Sequence, residues 1–164
     1  MKKIGFTIGK FAPLHKGHQY LIETAIKQVD EMYVVIYETD VIDIPIETRA
    51  DWIKKLYPKV KILYAYNPPK QFGMDDESIE IQINYLKKII GDIPVTHFFS
   101  SEIYGKAVAE KMNVLNCQVD RNRIKVPISA TKVRKNADEN QKYLEEIVYK
   151  DISKMAEIFD NKEK

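Results

Sequence analysis

A chain of 164 residues and 19.1 kDa is long enough for one compact domain with a hydrophobic core and too short for two large domains. Its residues are 45% hydrophobic and 30% charged, which is typical of globular proteins and excludes disordered or collagen-like chains. Lysine and arginine (26) nearly balance aspartate and glutamate (24), so the net charge of +2 argues against a protein that coats nucleic acid.

The chain has a single cysteine, Cys117, which excludes an internal disulfide and fits a reducing compartment. Its first eight residues, MKKIGFTI, contain two lysines and only a short apolar run, so no signal peptide is expected. Nowhere does an apolar run approach the roughly 20 residues that a membrane-spanning helix needs. We therefore expect a cytoplasmic protein of one domain, with no membrane partner.

Short apolar segments rich in β-branched residues alternate with amphipathic segments along the chain. Strands are predicted at residues 3–8, 32–37, 60–66, 96–99 and 116–119. Helices are predicted at 18–29, 47–57 and 104–112, and between a cap at Asp76 and a stop at Gly91. Over residues 141–159, apolar residues keep helical spacing in one helix or two: Leu144, Val148, Ile152, Met155 and Phe159.

This alternation predicts an α/β fold, because strands joined by helices form crossovers in a parallel sheet. We expect a Rossmann-like, doubly wound parallel sheet of about five strands with a C-terminal helical segment. Residues 1–164 are expected to form one domain, with a core over 1–136 and the C-terminal helices over 137–164. Ligands of such sheets bind at the carboxyl ends of the strands, which directs attention to the loops there.

The loop after the first predicted strand, Gly9–His18, has the sequence GKFAPLHKGH and runs directly into a helix. Two imidazoles, His15 and His18, flank Gly17 at the start of that helix. Backbone N–H groups and the helix dipole make such a start an anion site, to which Lys10 adds a positive charge. A histidine-containing surface turn is the plainer alternative. A metal site is less favoured, because no cysteine or acidic residue is near and His97 is the only other histidine.

The loop resembles the T/HxGH motif of the nucleotidyltransferase superfamily. That resemblance implies transfer of a nucleotidyl group from a nucleoside triphosphate to a phosphate acceptor, with release of pyrophosphate.

A second motif lies at residues 128–134, where the sequence is ISATKVR. Pro127 stops a strand, Ser129 or Thr131 can cap a new helix, and Arg134 follows one turn later, able to reach phosphate oxygens. Between residues 120 and 135 there are six basic residues and one acid. A solvated basic helix is the alternative interpretation, but the segment resembles the ISxTxxR motif of the same superfamily.

Within the superfamily, the form GKFxPxHxGH is similar to the domain of NadR-type nicotinamide mononucleotide (NMN) adenylyltransferases. FSSE at 99–102 and VDRNR at 119–123 match the same type. Proteins of this type normally continue into a kinase domain with its own phosphate-binding loop, and no such loop is expected within these 164 residues. The chain has one tryptophan, Trp52, so Trp52, Phe72 and Tyr104 all stay open as the residue that stacks on an acceptor base.

The resemblance implies the following site. His15 and His18 are the catalytic residues. The nucleotide-binding residues are Gly9, Lys10, Phe11, Gly17, Ser100, Ser101, Arg121, Ser129, Thr131 and Arg134. Arg49, Trp52 and Phe72 are candidates to bind the acceptor. Mg²⁺ is expected to arrive with ATP, with no dedicated metal site in the protein.

The expected partners are ATP and NMN, with no nucleic acid, and a homo-oligomer stays open. Two alternatives also stay open. One is an adenylyl- or cytidylyltransferase for another phosphate acceptor, such as phosphopantetheine or glycerol phosphate. The other is a non-catalytic nucleotide sensor, which the two intact histidines disfavour.

Overall fold

The computed structural model describes the backbone of residues 1–162 and the side chains of residues 1–154. Strands and helices alternate in chain order, as follows: β1 Ile4–Gly9, α1 Lys16–Ile26, β2 Glu31–Tyr37, α2 Ile46–Leu56, β3 Lys61–Ala65, α3 Asp76–Ile90, β4 His97–Ser100, α4 Gly105–Met112, β5 Leu115–Gln118, α5 Ala130–Lys135, a 3₁₀ turn Gln141–Tyr143 and α6 Glu146–Lys162.

The five strands form one parallel sheet in the order β3-β2-β1-β4-β5, which confirms the predicted fold class. The chain first builds outward from β1 through β2 to β3, and then returns to the other side of β1 with β4 and β5. Strand order therefore reverses between β1 and β4. A crevice opens beyond the carboxyl ends of two such strands, because their connections leave in opposite directions. Gly9 ends β1 and Ser100 ends β4, so the loops that follow them border this crevice.

Helices cover both faces of the sheet, and each face has its own apolar core. One core joins α1, α2 and α6, with Ile22, Ile53 and Val148 among its fully buried side chains. The other lies under α3 and α4 and contains Phe6 and Phe98, whose rings are 4.8 Å apart. Burial on both faces explains why β2 is almost continuously apolar.

The observed ends of the elements correct several predicted ones. Helix α1 begins two residues early, because His15 caps it. Asp75, and not Asp76, caps α3, since its carboxylate accepts the N–H of Ser78 at 3.1 Å. Gly91 ends α3 with φ of +58°, as predicted.

The C-terminal segment is two elements, a 3₁₀ turn and α6. Leu144 and Val148 of its predicted apolar stripe are buried and Ile152 is partly buried, while Met155 and Phe159 lie outside the described side chains. Among the helices of the described region, none is long and apolar enough to cross a membrane.

Candidate active site

A cavity of about 640 Å³ lies at the carboxyl edge of the sheet, where β1 and β4 end. This volume is in the range of ligand-binding pockets. Its lining includes most of the residues predicted from sequence: Gly9, Lys10, Phe11, His15, Gly17, His18, Phe72, Ser100, Ser101, Ser129, Thr131 and Arg134. The fold thus brings the two motifs, which are more than 100 residues apart, to one space.

The two histidines of the first motif form the start of α1. The His15 side chain is the N-cap, and its Nδ1 accepts the backbone N–H groups of Gly17 (3.0 Å) and His18 (3.3 Å). In return, Nδ1 of His18 accepts the N–H of His15 at 3.1 Å. The two rings lie stacked, with centroids 3.7 Å apart. This is the capping box arrangement, made here by two imidazoles.

These hydrogen bonds determine how the rings meet a ligand. Since both Nδ1 atoms accept hydrogen bonds, the proton of each neutral ring is on Nε2. Burial, with the Arg123 charge, lowers the pKa of His15 to about 4. Loss of water, the neighbouring His15 ring and Arg123 hold the pKa of His18 well below its ordinary value. At neutral pH the pair therefore presents two uncharged Nε2–H donors.

Gly17 makes the stacking possible, since a Cβ atom at this position would lie 2.8 Å from Cε1 of His15. Phe11 has a left-handed backbone (φ of +49°), and its ring packs edge-on against His18 at 4.8 Å. A glycine between the two histidines is therefore needed for the ring geometry.

The second motif begins helix α5 and holds the first motif in place. Ser129 caps α5, with its hydroxyl accepting the N–H of Lys132 at 3.2 Å. Arg134 Nη1 donates to the carbonyl of Ala12 at 2.7 Å, and Nη2 donates to Thr131 Oγ1 at 3.3 Å. Arg134 therefore links α5 directly to the loop between β1 and α1.

The loop after β5 is organised by one carboxylate. Asp120 accepts the N–H groups of Ile124, Lys125 and Val126, each at 2.9 Å. Burial acts to raise the pKa of Asp120, but these backbone hydrogen bonds outweigh it and hold the pKa below its ordinary value. Asp120 is therefore the structural centre of this loop.

Arg123 is a site residue that the sequence analysis did not select. It lines the cavity, whereas Arg121 is exposed and does not. Its Nη1 donates to the carbonyl of Ile128 at 2.6 Å, and its Nη2 is 3.5 Å from Glu102 Oε1. The signal was in the VDRNR segment, which contains two arginines two residues apart.

Two serines connect the ends of β4 and β5 beside the cavity. Ser100 is buried, and its Oγ accepts the N–H of Glu102 at 2.9 Å. Ser101 donates from its hydroxyl to the carbonyl of Val119 at 2.6 Å. Both hydroxyls therefore have structural partners as well as a position at the cavity wall.

Of the three residues expected to bind an acceptor, only Phe72 reaches the cavity. It is 65% exposed at the rim, with Lys10 Nζ 5.5 Å from its ring centre.

Trp52 is 1% exposed, donates to Asp151 at 2.7 Å and is not part of the cavity lining. Arg49 is equally buried, and donates to the carbonyls of Ile44 (3.0 Å), Tyr37 (3.1 Å) and Lys10. Tyr104 does line the cavity, where burial raises its pKa to about 12.

The cavity has more positive than negative groups, with Lys10, Arg123 and Arg134 on its lining against Glu102 and Asp120. Within the described residues, no three histidine, cysteine or acidic side chains converge as a metal site requires. The arrangement can bind a polyanion through cationic groups and neutral N–H donors.

The geometry agrees with comparisons to known proteins. A model of the citrate lyase ligase C-terminal domain matches residues 5–68. The trifunctional NAD biosynthesis/regulator protein NadR of Salmonella typhimurium is 29% identical over 153 residues, covering 82% of this chain and 37% of NadR. The chain thus spans well under half the length of this relative.

Two solved structures show the same fold. NadR in complex with NAD and AMP-PNP has a TM-score of 0.65 and 23% identity, covering 90% of this chain and 46% of that chain. A bifunctional NMN adenylyltransferase/ADP ribose pyrophosphatase from Francisella tularensis, complexed with AMP and a manganese ion, has a TM-score of 0.58 and 19% identity. It covers 82% of this chain and 41% of that chain. The resemblance to NadR that the two motifs indicated is thus confirmed: the chain is similar in sequence to NadR over most of its own length and shares its fold with NadR and with the Francisella tularensis enzyme.

Proposed function

We propose that this chain is an adenylyltransferase that transfers AMP from ATP to NMN, giving NAD and pyrophosphate. The observation that carries the proposal is the pair of neutral Nε2–H donors of His15 and His18 in a cavity with Arg123 and Arg134. The similarity to NadR and to an NMN adenylyltransferase supports NMN as the acceptor.

The reaction needs binding and charge stabilisation rather than covalent catalysis. A phosphate oxygen of NMN attacks the α-phosphorus of ATP, the bond from that phosphorus to the bridging oxygen breaks, and pyrophosphate leaves with the electron pair. His18 would donate to an α-phosphate oxygen and His15 to the phosphates beyond it. Donors that are already fixed stabilise the transition state without reorganising, which is the main source of rate in such sites.

The triphosphate would extend from the histidines toward α5. Lys10, the Gly9–Phe11 backbone, Ser129, Thr131 and Arg134 would bind it there, with Arg123 beside them. Mg²⁺ would enter bound to ATP, with phosphate oxygens and water as its ligands, and would neutralise part of the triphosphate charge. Of the aromatic residues that line the cavity, which also include Phe11 and Tyr37, Phe72 and Tyr104 are the ones that would contact an acceptor base.

The test is pyrophosphate release with ATP and Mg²⁺, with and without NMN, and detection of NAD by mass spectrometry. We expect NAD at about one turnover per second or faster. Release only with another phosphate acceptor would keep the reaction class and overturn NMN as the substrate. Binding of ATP without release under any condition would identify a nucleotide sensor.

Replacing His18 by alanine should lower turnover about 100-fold or more, because a donor to the transition state is lost. The matched control is His97→Asn, since His97 lies on β4 outside the cavity lining. Circular dichroism of both variants separates a folding defect from a catalytic one. Normal turnover of a folded His18→Ala variant would remove His18 from the mechanism.

A further inference from the structure

A polar cluster lies beside the histidine pair, on a neighbouring face of the same helical turn. Glu145, which immediately precedes α6, accepts through Oε1 a hydrogen bond from Gln19 Nε2 at 2.9 Å. The same oxygen forms an ion pair with Lys16 Nζ. Lys16 directly follows His15 in the chain, and Gln19 directly follows His18. One carboxylate, 126 or more residues away in sequence, therefore holds the turn that carries both imidazoles.

The contact with Glu145 differs from a surface ion pair because it includes the buried side chain of Gln19. The Gln19 side chain is 5% exposed, and its Oε1 has no hydrogen-bond partner among the side chains and backbone that the structure describes. The amide N–H₂ has Glu145 as its close acceptor, while the Tyr57 hydroxyl is 3.4 Å away. A buried amide N–H group that loses its acceptor is left unsatisfied, which costs free energy. Removal of Glu145 would therefore destabilise the folded position of the Gln19 side chain.

Glu145 is itself held by the core. Leu144, the residue before it, is 7% exposed, and Val148, three residues after it, is fully buried. The Glu145 carbonyl accepts the N–H of Tyr149 at 3.0 Å, in the first turn of α6. Hydrogen bonds from Gln19 and Lys16 lower the pKa of the Glu145 carboxyl, which keeps it ionised.

We infer that Glu145 is a positioning residue for the histidine pair. Its ion pair with Lys16 and its hydrogen bond with Gln19 fix the position of the first turn of α1, and therefore of both Nε2–H donors. The catalytic part of this inference rests on the proposed adenylyltransferase activity. The structural part does not, since the contacts exist without any substrate.

The first measurement is amide hydrogen exchange at Gly17 and His18, whose N–H groups are bonded to His15 Nδ1. In Glu145→Ala we expect exchange at these two amides to be about tenfold faster, as local opening of the turn becomes easier. Glu146→Ala is the matched control, because Glu146 is exposed and, within the described part of the chain, forms its ion pair with Lys150, four residues on. It should leave exchange at Gly17 and His18 unchanged.

The second measurement separates positioning from binding. In Glu145→Ala we expect kcat to fall about tenfold, because the donors no longer match the transition state, while KM for ATP stays within about twofold. The exchanged pair Lys16→Glu with Glu145→Lys should restore much of kcat, since the ion pair between positions 16 and 145 is re-formed with its charges exchanged and the Gln19 amide can turn to present Oε1 to the ammonium group. A merely structural contact would not produce this split between kcat and KM.

Unchanged exchange at Gly17 and His18 in Glu145→Ala would overturn the inference. If that variant does not fold, amide exchange at Gly17 and His18 can be measured in Glu145→Gln and in Lys16→Met instead, since each of these substitutions weakens the contact between Glu145 and α1. An inactive wild-type chain would overturn the proposed function alone, because the exchange measurement needs no substrate.

Discussion

At the scale of single residues, His15 and His18 each perform two tasks. Their Nδ1 atoms satisfy backbone N–H groups at the start of α1, and this leaves Nε2–H as the donor toward the cavity. Because protonation of Nδ1 would remove an acceptor from those N–H groups, both the cap and the surrounding charge oppose the imidazolium form.

The low pKa of His15 predicts that acid destabilises the protein. An unfolded histidine takes up a proton near pH 6.5, whereas folded His15 does so only near pH 4. The free energy of unfolding should therefore fall as pH drops through that window, with His15 contributing about 3 kcal/mol of the loss. Urea unfolding at several pH values between 7 and 4 measures it. His15→Asn keeps a capping acceptor without a titrating group and should show a shallower slope; an equal slope would contradict the prediction.

Arg121 and Arg123 make a second comparison at this scale. Only Arg123 lines the cavity, where its guanidinium is held against the carbonyl of Ile128. Arg123→Ala should weaken ATP binding about tenfold, since a charged hydrogen bond to phosphate is lost. Arg121→Ala should change the Kd less than twofold. Calorimetric titration of ATP into both variants measures the difference, and equal effects would place Arg123 outside the phosphate site.

At the scale of elements, the loop after β5 depends on one side chain. Asp120→Ala removes the acceptor of three backbone N–H groups and should lower the free energy of unfolding by about 1–2 kcal/mol. ATP binding should fall as well, because Arg123 belongs to this loop. Asp120→Asn keeps one acceptor oxygen and should therefore lose less unfolding free energy and less ATP affinity than Asp120→Ala. Chemical denaturation with ATP titration tests the pair; full ATP affinity in Asp120→Ala would show that Arg123 is positioned by other contacts.

The order and type of the elements could be predicted because apolar periodicity and strand–helix alternation are local properties of the sequence. The order of strands in the sheet was not predicted, since it depends on how crossovers pack. Burial is also set by the whole fold, and so the sequence did not reveal that Trp52 and Arg49 are enclosed. The choice between Arg121 and Arg123 depends on backbone turns at Asp120 and Arg123, both left-handed at φ of +47° and +52°.

At the scale of the whole molecule, the reversal of strand order unites the two motifs. Residues 9–18 leave β1 and residues 120–134 follow β5, yet both face one cavity because the sheet is parallel throughout. A ligand that spans both loops should therefore stabilise the entire fold.

MgATP at 100 times its Kd should add about 2.7 kcal/mol to the free energy of unfolding. The rise in Tm with MgATP, compared with MgCTP at the same concentration, measures both binding and the choice of base. A larger shift with CTP would favour a cytidylyltransferase.

The capping role of residue 15 also bears on how such sites evolve. The helix needs an acceptor atom at this position, and threonine or asparagine supplies one as well as an imidazole does. Selection could therefore exchange the group that faces the phosphates without dismantling the helix that carries the other histidine. The alternation between threonine and histidine in the T/HxGH motif is what this freedom would produce, with the chemistry at one position varying over an unchanged backbone.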